Sequence, residues 1–460
     1  MSEVLISAPD GEAIPLHAVS KPGLESFLAR RPAAAKAQLE AQSFKGSLGQ
    51  ACVVTRGDGR TWFAVVGLGG GERPDPMALR AASAKLPPGD YRLGSIRGVS
   101  PLQAAIAWGL GSYVFDRYKP RPDRRHARLV VAEADLAEAR RICHACALAR
   151  DMVNTPANDL GPLQIETIAR EIAGRYGAKI EVTAGEALRD AGYPAVLAVG
   201  RAAEPDRAPR MIELTWGEAG PLVAIVGKGV VFDTGGLDLK PSSSMRLMKK
   251  DMGGAAHALA LARMIMDAGL KLRLVVLVPA VENAVSGAAM RPGDVIASRK
   301  GLSIEVGNTD AEGRLILADA LARAAELRPE LTIDIATLTG AARVALGPQV
   351  IPFFTDDDKL AREIEAASSR MSDPLWRLPL WGGYMEAVEG EIADLRNDPE
   401  GWAQAGSITA ALFLRRFAPE SGWVHLDIFA WNPKSRPGWP VGAEAQAIRA
   451  LYDLIRRRVG

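Results

Sequence analysis

Apolar runs alternate with helical periodicities along the second half of the chain. Short apolar stretches occupy residues 221–232, 272–281 and 331–338, and each has the length of a buried strand. Residues 251–269 and 313–327 instead repeat apolar side chains at helical spacing. This strand-then-helix order predicts a mainly parallel sheet that is covered by helices on both faces.

A weaker alternation of the same kind runs through residues 1–133. Its β-rich runs lie at 52–56, 62–68 and 128–133, and a helical pattern covers 102–113. This part of the chain is therefore also predicted to fold as an α/β unit.

The chain is long enough for more than one hydrophobic core. At 460 residues it exceeds the size that a single core commonly serves, and the basic, proline-containing segment 119–129 predicts a loop near the end of the first unit. We therefore predict two α/β domains, a smaller N-terminal one at 1–133 and a larger C-terminal one at 134–460. The larger domain is predicted to begin with a linking helix over 134–152.

Polar segments follow the predicted strands of the larger domain. Residues 228–233 and 337–340 each come at the end of an apolar run, and residues 308–314 follow a shorter β-rich run at 303–308. Because ligands of parallel sheets collect at the carboxyl ends of the strands, we expect these three segments to converge on one crevice.

Composition narrows the classes of partner. The 56 basic and 54 acidic residues leave a net charge of +2, so no nucleic acid or other polyanion is indicated as a partner. Residues 1–17 lack a basic region followed by an apolar core, and no run reaches the roughly 18 apolar residues of a membrane helix. We therefore expect a soluble, cytoplasmic protein with no membrane association.

Cysteine and histidine give little sign of a metal site. Three cysteines are too few for a disulfide framework, which agrees with a reducing compartment. Cys143 and Cys146 have C-x-x-C spacing, but they lie in the helical pattern of 134–152 and no second pair completes a zinc tetrahedron. His257 and His425 lie within apolar runs. All four are predicted to be packed rather than metal-bound.

The stretch NTDAEGRLILADAL, residues 308–321, places Asp310, Glu312 and Arg314 on alternate positions before a helix. One interpretation is structural, because Thr309-x-x-Glu312 fits a capping box and acidic side chains favour the positive end of a helix. The other is that both carboxylates join partners from other segments and form a site. The stretch alone does not decide between them.

Four carboxylates, those of Asp233, Asp251, Asp310 and Glu312, fall in or near the converging segments. They would repel one another in one crevice unless two divalent cations balanced their charge. Hard oxygen ligands suit Mg, Mn or a carboxylate-rich Zn site. Because paired metals activate water and polarise carbonyl groups, the residues predict a metal-dependent hydrolase of unknown substrate.

Basic side chains near the four carboxylates are compatible with more than one function. Lys240 and Arg314 would supply positive groups for a developing oxyanion. The Gly227–Lys228 pair lacks the Ser or Thr and the upstream glycine of a phosphate loop, so a Walker nucleotide site is not predicted. A dimetal phosphoesterase would use the same carboxylates together with phosphate-gripping arginines or histidines, which are not evident. A scaffold with a kept fold and lost activity is the non-enzyme alternative.

Six motifs resemble those of the dimetal leucyl (cytosol) aminopeptidase family. They are NTDAEGRLILADAL, VGKGVVFDTGG, KKDMGGAAHALA, PAVENAVSGAAMRPGDV, TIDIATLTGA and RDMVNTPANDLGP. The motifs are spread over 150–345, and weaker likeness occurs at 108–119 and 390–397. The resemblance implies that the larger domain is a catalytic dimetal peptidase domain.

By this resemblance five side chains are metal ligands. They are Lys228, Asp233, Asp251, Asp310 and Glu312, and the resemblance implies that Asp233 and Glu312 bridge the two ions. A lysine ligand must be neutral, so the pKa of Lys228 would have to be strongly lowered. The implied cofactors are two divalent metal ions, Mn or Zn.

The resemblance also implies a reaction, the removal of the N-terminal residue from a peptide by a metal-bridging water. Lys240 would polarise the scissile carbonyl and stabilise the oxyanion, and Arg314 would hold a bicarbonate that acts as general base. Met248, Thr337 and Gly340 match positions that line the substrate pocket. A homohexamer that acts on peptides is expected on the same ground.

One segment departs from the family pattern. HLDIFAWNPKSRPG, residues 425–438, stands where the better-known members carry a pattern like HLDIAG followed by a small residue. Because this region helps to wall the substrate pocket, the resemblance does not predict which N-terminal residue is preferred.

Overall fold

The computed structural model describes residues 4–71, 74–120, 126–399, 402 and 404–460. The chain forms two compact units, the first made of residues 1–147 with 432–442 and the second of 148–431 with 443–460. Residues 121–125 of the predicted loop at 119–129 lie outside the described residues.

The first unit is an α/β structure with a six-stranded sheet. Its strands are β1 (Leu5–Ile6), β2 (Ile14–Ser20), β3 (Ala51–Thr55), β4 (Thr61–Gly69), β5 (Gly89–Leu93) and β6 (Ala127–Val130). The shorter helices are α1 (Leu24–Ala29), α2 (Ala33–Ala41), α3 (Leu79–Lys85) and α4 (Pro101–Gly111). The strand order is β1-β6-β5-β2-β4-β3, and all neighbours are parallel except the β3–β4 hairpin.

The linking helix α5 (Glu133–Asn154) follows β6 and matches the predicted helix closely. Cys143 and Cys146 are buried within it and no disulfide joins the cysteines, so their predicted packing role is confirmed. The boundary proposed from the sequence, at 133/134, falls at the start of this helix. No described helix is long and apolar enough to cross a membrane.

The second unit holds most of the remaining elements. Its first strands are β7 (Lys179–Ala184), β8 (Arg210–Trp216), β9 (Leu222–Gly227), β10 (Gly229–Asp233), β11 (Arg273–Asn283), β12 (Val295–Ala297) and β13 (Ser303–Glu305). The later ones are β14 (Leu331–Ala336), β15 (Ile351–Phe354), β16 (Leu375–Arg377), β17 (Leu395–Arg396) and β18 (Trp423–Asp427). β19 (Trp431–Asn432) and β20 (Gly442–Ala443) pair as a separate ribbon.

Ten helices accompany these strands in the described part of the chain. The first five are α6 (Pro162–Tyr176), α7 (Ala187–Asp190), α8 (Pro194–Gly200), α9 (Ser242–Met245) and α10 (Gly253–Asp267). The others are α11 (Glu312–Glu326), α12 (Gly340–Leu346), α13 (Asp358–Met371), α14 (Gly406–Arg415) and α15 (Ile448–Val459).

The main sheet runs in the order β16-β15-β18-β14-β9-β11-β8-β7, with β10 paired to β11. Its central strands β18, β14, β9 and β11 are mutually parallel, as predicted. Ala224 and Val226 of β9 belong to the core that contains Leu315 of α11. Gly227 faces the other side of the sheet, as shown by Ala258 of α10, which a Cβ on Gly227 would meet. The sheet therefore carries helices on both faces, which confirms the predicted fold class.

One predicted strand belongs to a different sheet from the one predicted. Residues 303–308 were predicted to continue the main parallel sheet, but β13 belongs to a separate three-stranded sheet of order β12-β13-β17. The reason is long-range pairing, since β13 hydrogen-bonds to strands on either side of it that are not adjacent to the main sheet. Residues 308–314 thus reach the crevice from outside the main sheet.

A buried carboxylate fixes part of this unit, and its removal is expected to be costly. Asp319 accepts hydrogen bonds from the backbone N–H groups of Ala195 (2.8 Å), Val196 (3.2 Å) and Arg299 (2.7 Å). Asp319→Ala would leave two buried donors and one partly buried donor unpaired, so we expect the free energy of unfolding to fall by about 3 to 5 kcal/mol. Urea unfolding measures this loss, and Asp190→Ala at an exposed carboxylate should change it by less than about 0.5 kcal/mol.

Candidate metal centre

Lys228 lies at a break between two strands. β9 ends at Gly227 and β10 begins at Gly229, and the parallel partner β11 pairs with β9 along its first half and with β10 beyond it. The backbone N–H of Lys228 instead donates to the carbonyl of Ile335 in β14 (3.0 Å). Its side chain passes Gly313, where a Cβ would lie 2.5 Å from Nζ. The glycine in NTDAEGRL therefore leaves room for the lysine.

Three elements bring the four predicted carboxylates together. Asp233 ends β10, Asp251 follows a 3₁₀ turn at Met248–Lys250, Asp310 precedes α11 and Glu312 opens it. One carboxylate oxygen each from Asp233, Asp310 and Glu312 lies within 4.8 Å of the other two. Segments that are distant in the sequence thus converge as expected, although Asp310 and Glu312 arrive from outside the main sheet.

Two lysines lie between these carboxylates. Lys228 Nζ is 2.7 Å from Asp251 Oδ2 and 3.0 Å from Glu312 Oε1. Lys240 Nζ is 2.8 Å from Asp233 Oδ2 and also donates a hydrogen bond to Asp310 Oδ1. The lysines and carboxylates therefore form one connected cluster.

The cluster carries more negative than positive charge, and the pKa values of two of its acids are raised. Burial and the neighbouring Asp233 raise the pKa of Asp310 to about 6. The same two causes raise the pKa of Glu312 well above its ordinary value. Burial alone would lower the pKa of Lys228, but the carboxylates around it raise the pKa above the usual lysine value. Additional cations would relieve this repulsion.

Several acceptor atoms in the cluster lack hydrogen bonds. Buried Asp251 Oδ2 and Glu312 Oε1 have only their ion pairs with Lys228, and buried Glu312 Oε2 accepts no hydrogen bond from any described group. Four carboxylates against two lysines leave two formal negative charges, and the donors are hard oxygens. Buried carboxylates of this kind are ordinarily paired, hydrogen-bonded or bound to metal. The residues present therefore fit divalent cations such as Mn or Zn.

The histidines take no part in the cluster. His257 Nδ1 lies 2.6 Å from the carbonyl of Gly253, and its Nε2 accepts from the backbone N–H of Gln446 (3.0 Å). His425 Nδ1 lies 2.5 Å from Asp334 Oδ1. Both rings are fully buried, which confirms the prediction that they are packed.

The capping-box interpretation of Thr309 and Glu312 was wrong. α11 begins at Glu312, its N-terminal cap position is Ala311, and no side chain caps it. Thr309 Oγ1 instead donates to the carbonyl of Gly235 (2.6 Å) and accepts from the N–H of Asp238 (2.9 Å). Thr309 therefore ties the acidic loop to the segment after β10.

Two asparagines that the sequence did not single out hold the carboxylate-bearing loops. Asn283 Nδ2 donates to Asp233 Oδ1 (2.8 Å) and to the carbonyl of Thr309 (3.1 Å). Asn397 Oδ1 accepts from the N–H groups of Gly307 (2.8 Å) and Asn308 (3.2 Å). Each lies within a motif of the resemblance, VENAVSG or GEIADLRN, which is the signal that could have found it.

Arg314 lies near the cluster but pairs with none of its carboxylates. Its Nη1 donates to the carbonyl of Asn397 (2.6 Å), and its buried Nε donates to no described group. Burial lowers the pKa of this guanidinium. A buried donor without a partner is available to an anion.

The three predicted pocket residues occupy different positions. Thr337 Oγ1 donates to Asp251 Oδ1 (2.9 Å), and the Thr337 carbonyl accepts from Lys228 Nζ (3.0 Å), so Thr337 joins the cluster. Met248 is half-buried at the start of the turn that leads to Asp251. Gly340 is exposed at the start of α12.

Comparison with known proteins identifies the family. Residues 147–452 match the catalytic domain of the cytosol aminopeptidase family, and residues 14–132 match the M17 aminopeptidase N-terminal domain. The chain belongs to the cytosol aminopeptidase family. It is thereby a metal-dependent aminopeptidase, a peptide hydrolase of a family that uses two metal ions, and the resemblance read from the motifs is confirmed.

Individual members of the family are similar over almost the whole chain. A crystal structure of cytosol aminopeptidase from Coxiella burnetii has a TM-score of 0.93 at 40% identity and covers 99% of this chain and 100% of its own. A probable cytosol aminopeptidase of Geotalea uraniireducens (strain Rf4) is 40% identical over 85% of this chain and 84% of the relative. The structure of the bottromycin maturation enzyme BotP in complex with Mn has a TM-score of 0.87 at 34% identity, and the match covers 98% of this chain and 100% of that one.

Proposed function

We propose that the cluster around Lys228 is the active site, and that it removes the N-terminal residue of peptides. The observation that carries this proposal is the group of buried carboxylate oxygens without hydrogen bonds, close to two lysines. The proposed ligands of two divalent ions, Mn or Zn, are Lys228, Asp233, Asp251, Asp310 and Glu312. Such ions, when bound, supply Lewis acidity that activates water and polarises a carbonyl group.

Lys240 is proposed to stabilise the oxyanion. Its ammonium reaches the carboxylates of Asp233 and Asp310 and is mostly buried, so it is held at the edge of the cluster. Asp233 and Asp310 raise its pKa, although burial opposes them, and the group stays protonated. A fixed ammonium next to the scissile carbonyl would attract the negative charge that develops on its oxygen.

Arg314 is proposed to hold a bicarbonate that serves as general base. The support is its buried Nε–H, which donates to no described group, and the hydrogen bond to Asn397 that fixes the guanidinium. A planar guanidinium presents donors that suit a planar, carboxylate-like anion. The anion would then accept the proton of the attacking water.

The substrate pocket and assembly complete the proposal. Met248, Thr337 and Gly340 are proposed to line the pocket for the N-terminal side chain, since all three lie on the segments that deliver or contact Asp251. We also propose a homohexamer in the cytoplasm, the compartment in the names of the similar proteins. Size-exclusion chromatography with light scattering is expected to report six chains per particle.

Metal removal is expected to abolish turnover reversibly. Purified protein that has been treated with a chelator should lose hydrolysis of leucine p-nitroanilide by at least about a hundredfold, and added Mn, Zn or Mg should restore it to different extents. The same samples are assayed with X-Gly dipeptides to compare N-terminal residues. p-Nitrophenyl phosphate serves as the control for the phosphoesterase alternative. Folded, metal-loaded protein without turnover of any free-amine substrate would refute the proposal.

A further inference from the structure

Lys250 is a buried lysine that the proposed mechanism does not use. It lies in the 3₁₀ turn Met248–Lys250, directly before Asp251, and the residue is 7% exposed. Its Nζ forms no hydrogen bond and no ion pair with any described group. Asp251, Asp427 and Asp233 attract this ammonium from a distance, but none of them forms an ion pair with it, so its N–H donors are open to a ligand.

Phe429 is the aromatic neighbour of this ammonium. The centre of its ring lies 5.1 Å from Lys250 Nζ and 5.4 Å from the guanidinium carbon of Arg343 in α12. Arg343 also pairs with no carboxylate among the described residues, and it is exposed. Two cations therefore lie against one half-buried ring, which attracts them weakly and occupies none of their hydrogen-bond donors.

The segment that carries the ring packs near a proposed pocket residue. Ala430, the next residue, packs at the start of α10, where a Cβ on Gly253 would lie 2.8 Å from Ala430 Cβ and 2.7 Å from Thr337 Cγ2. Phe429 belongs to FAWNP, the segment that departs from the family pattern. The neighbours in sequence of both cations also belong to this region, since Asp251 accepts a hydrogen bond from Thr337 and Arg343 lies in the helix that begins at Gly340.

We propose that Lys250 and Arg343, with the ring of Phe429, form a subsite for a carboxylate of the substrate. The subsite rests on the proposed function, since it selects among peptides that the same site cleaves. A carboxylate would pair with the buried ammonium through charge-assisted hydrogen bonds, which are among the stronger ones in proteins. The exposed Arg343 would add attraction at the entrance, where solvent screens it.

A peptide offers such a carboxylate in two places. An acidic side chain on the N-terminal residue is one source, and the C-terminal carboxylate of a dipeptide is the other. Both sources present the same planar anion, so the geometry around the Phe429 ring does not show which of the two is recognised. Pairs of substrates that differ only in one of these carboxylates distinguish the two sources.

The test compares substrates that differ only in this charge. One pair is glutamate p-nitroanilide and glutamine p-nitroanilide, and the other is Leu-Gly and Leu-Gly amide. For each pair the ratio of kcat/KM is measured in the metal-loaded wild type, Lys250→Met, Lys250→Arg and Arg343→Met. Lys271→Met is the matched control, because Lys271 is exposed and precedes β11 at the opposite edge of the sheet.

In Lys250→Met the ratio is expected to fall about 10-fold to 100-fold for the pair that carries the recognised carboxylate. Lys250→Arg should recover part of it, Arg343→Met should lose less, and Lys271→Met should equal the wild type. A lower kcat/KM ratio for the first pair shows that the subsite recognises the acidic side chain. A lower ratio for the second pair shows that it recognises the C-terminal carboxylate. Ratios unchanged in both pairs overturn the subsite.

Failure of the subsite is distinguishable from failure of the proposed function. If the wild type turns over neither glutamine p-nitroanilide nor Leu-Gly amide, the peptidase assignment itself fails. If it turns over both and the ratios do not respond to Lys250, only the subsite fails. Arg343→Met changes an exposed position, so the test does not depend on the folding of a buried variant.

Discussion

Glu312→Gln is expected to lower kcat/KM for leucine p-nitroanilide by at least about a thousandfold. The substitution keeps the size of a fully buried side chain but removes the charge of a carboxylate whose Oε2 accepts no hydrogen bond from any described group. It would also set an amide beside the ammonium of Lys228, 3.0 Å from Glu312 Oε1. In the proposed site Glu312 is a metal ligand, and the loss of one ligand would forfeit several kcal/mol of charge stabilisation, which corresponds to that factor.

For the Glu312→Gln variant, both the kinetic constants and the metal content are measured. Elemental analysis of the purified variant should find fewer than two divalent ions per chain, whereas the wild type saturated with Mn should hold two. Glu326→Gln is the control, because Glu326 is an exposed carboxylate at the other end of α11. A Glu312→Gln variant with full metal content and near-normal turnover would contradict the ligand role.

Lys240→Met is expected to lower kcat by about a hundredfold to a thousandfold with a smaller change in KM. Removal of one donor from an oxyanion site commonly has this effect, because the donor acts on charge that exists only in the transition state. The substitution also removes a cation from beside Asp233 and Asp310. Metal content should therefore not fall, which separates Lys240 from the ligands.

Kinetics on both leucine p-nitroanilide and a neutral dipeptide amide test this expectation. Lys240→Arg keeps the charge and should retain more activity than Lys240→Met. Lys271→Met, which removes an exposed ammonium, should behave like the wild type. Equal losses in kcat and in bound metal would show that Lys240 supports the ligands rather than the oxyanion.

The elements of the second unit could be predicted well from local pattern. The predicted helices at 251–269 and 313–327 correspond to Gly253–Asp267 and Glu312–Glu326, because helical spacing of apolar side chains is a local property. The strand at 303–308 was placed in the wrong sheet. Sheet membership depends on partners that are distant in the chain, here Val295–Ala297 and Leu395–Arg396.

The residues of the candidate site could be predicted only through their motifs. Spacing alone left the stretch NTDAEGRL open between a helix cap and a site, since both use the same acidic residues. The fold decided against the cap, because Thr309 bonds to the segment after β10 and not to α11. Asn283 and Asn397 were missed, since a neutral asparagine gives no charge pattern in a sequence.

The sequence by itself determined the two-domain α/β class, the parallel sheet and the set of acidic and basic side chains that meet at its edge. Only the tertiary structure decided which cation faces which carboxylate, and that Lys250 shares the ring of Phe429 with Arg343. The physical reason is range. Secondary structure follows from the spacing of neighbours, whereas hydrogen bonds and charge pairs act over a few ångströms between segments that only folding brings together.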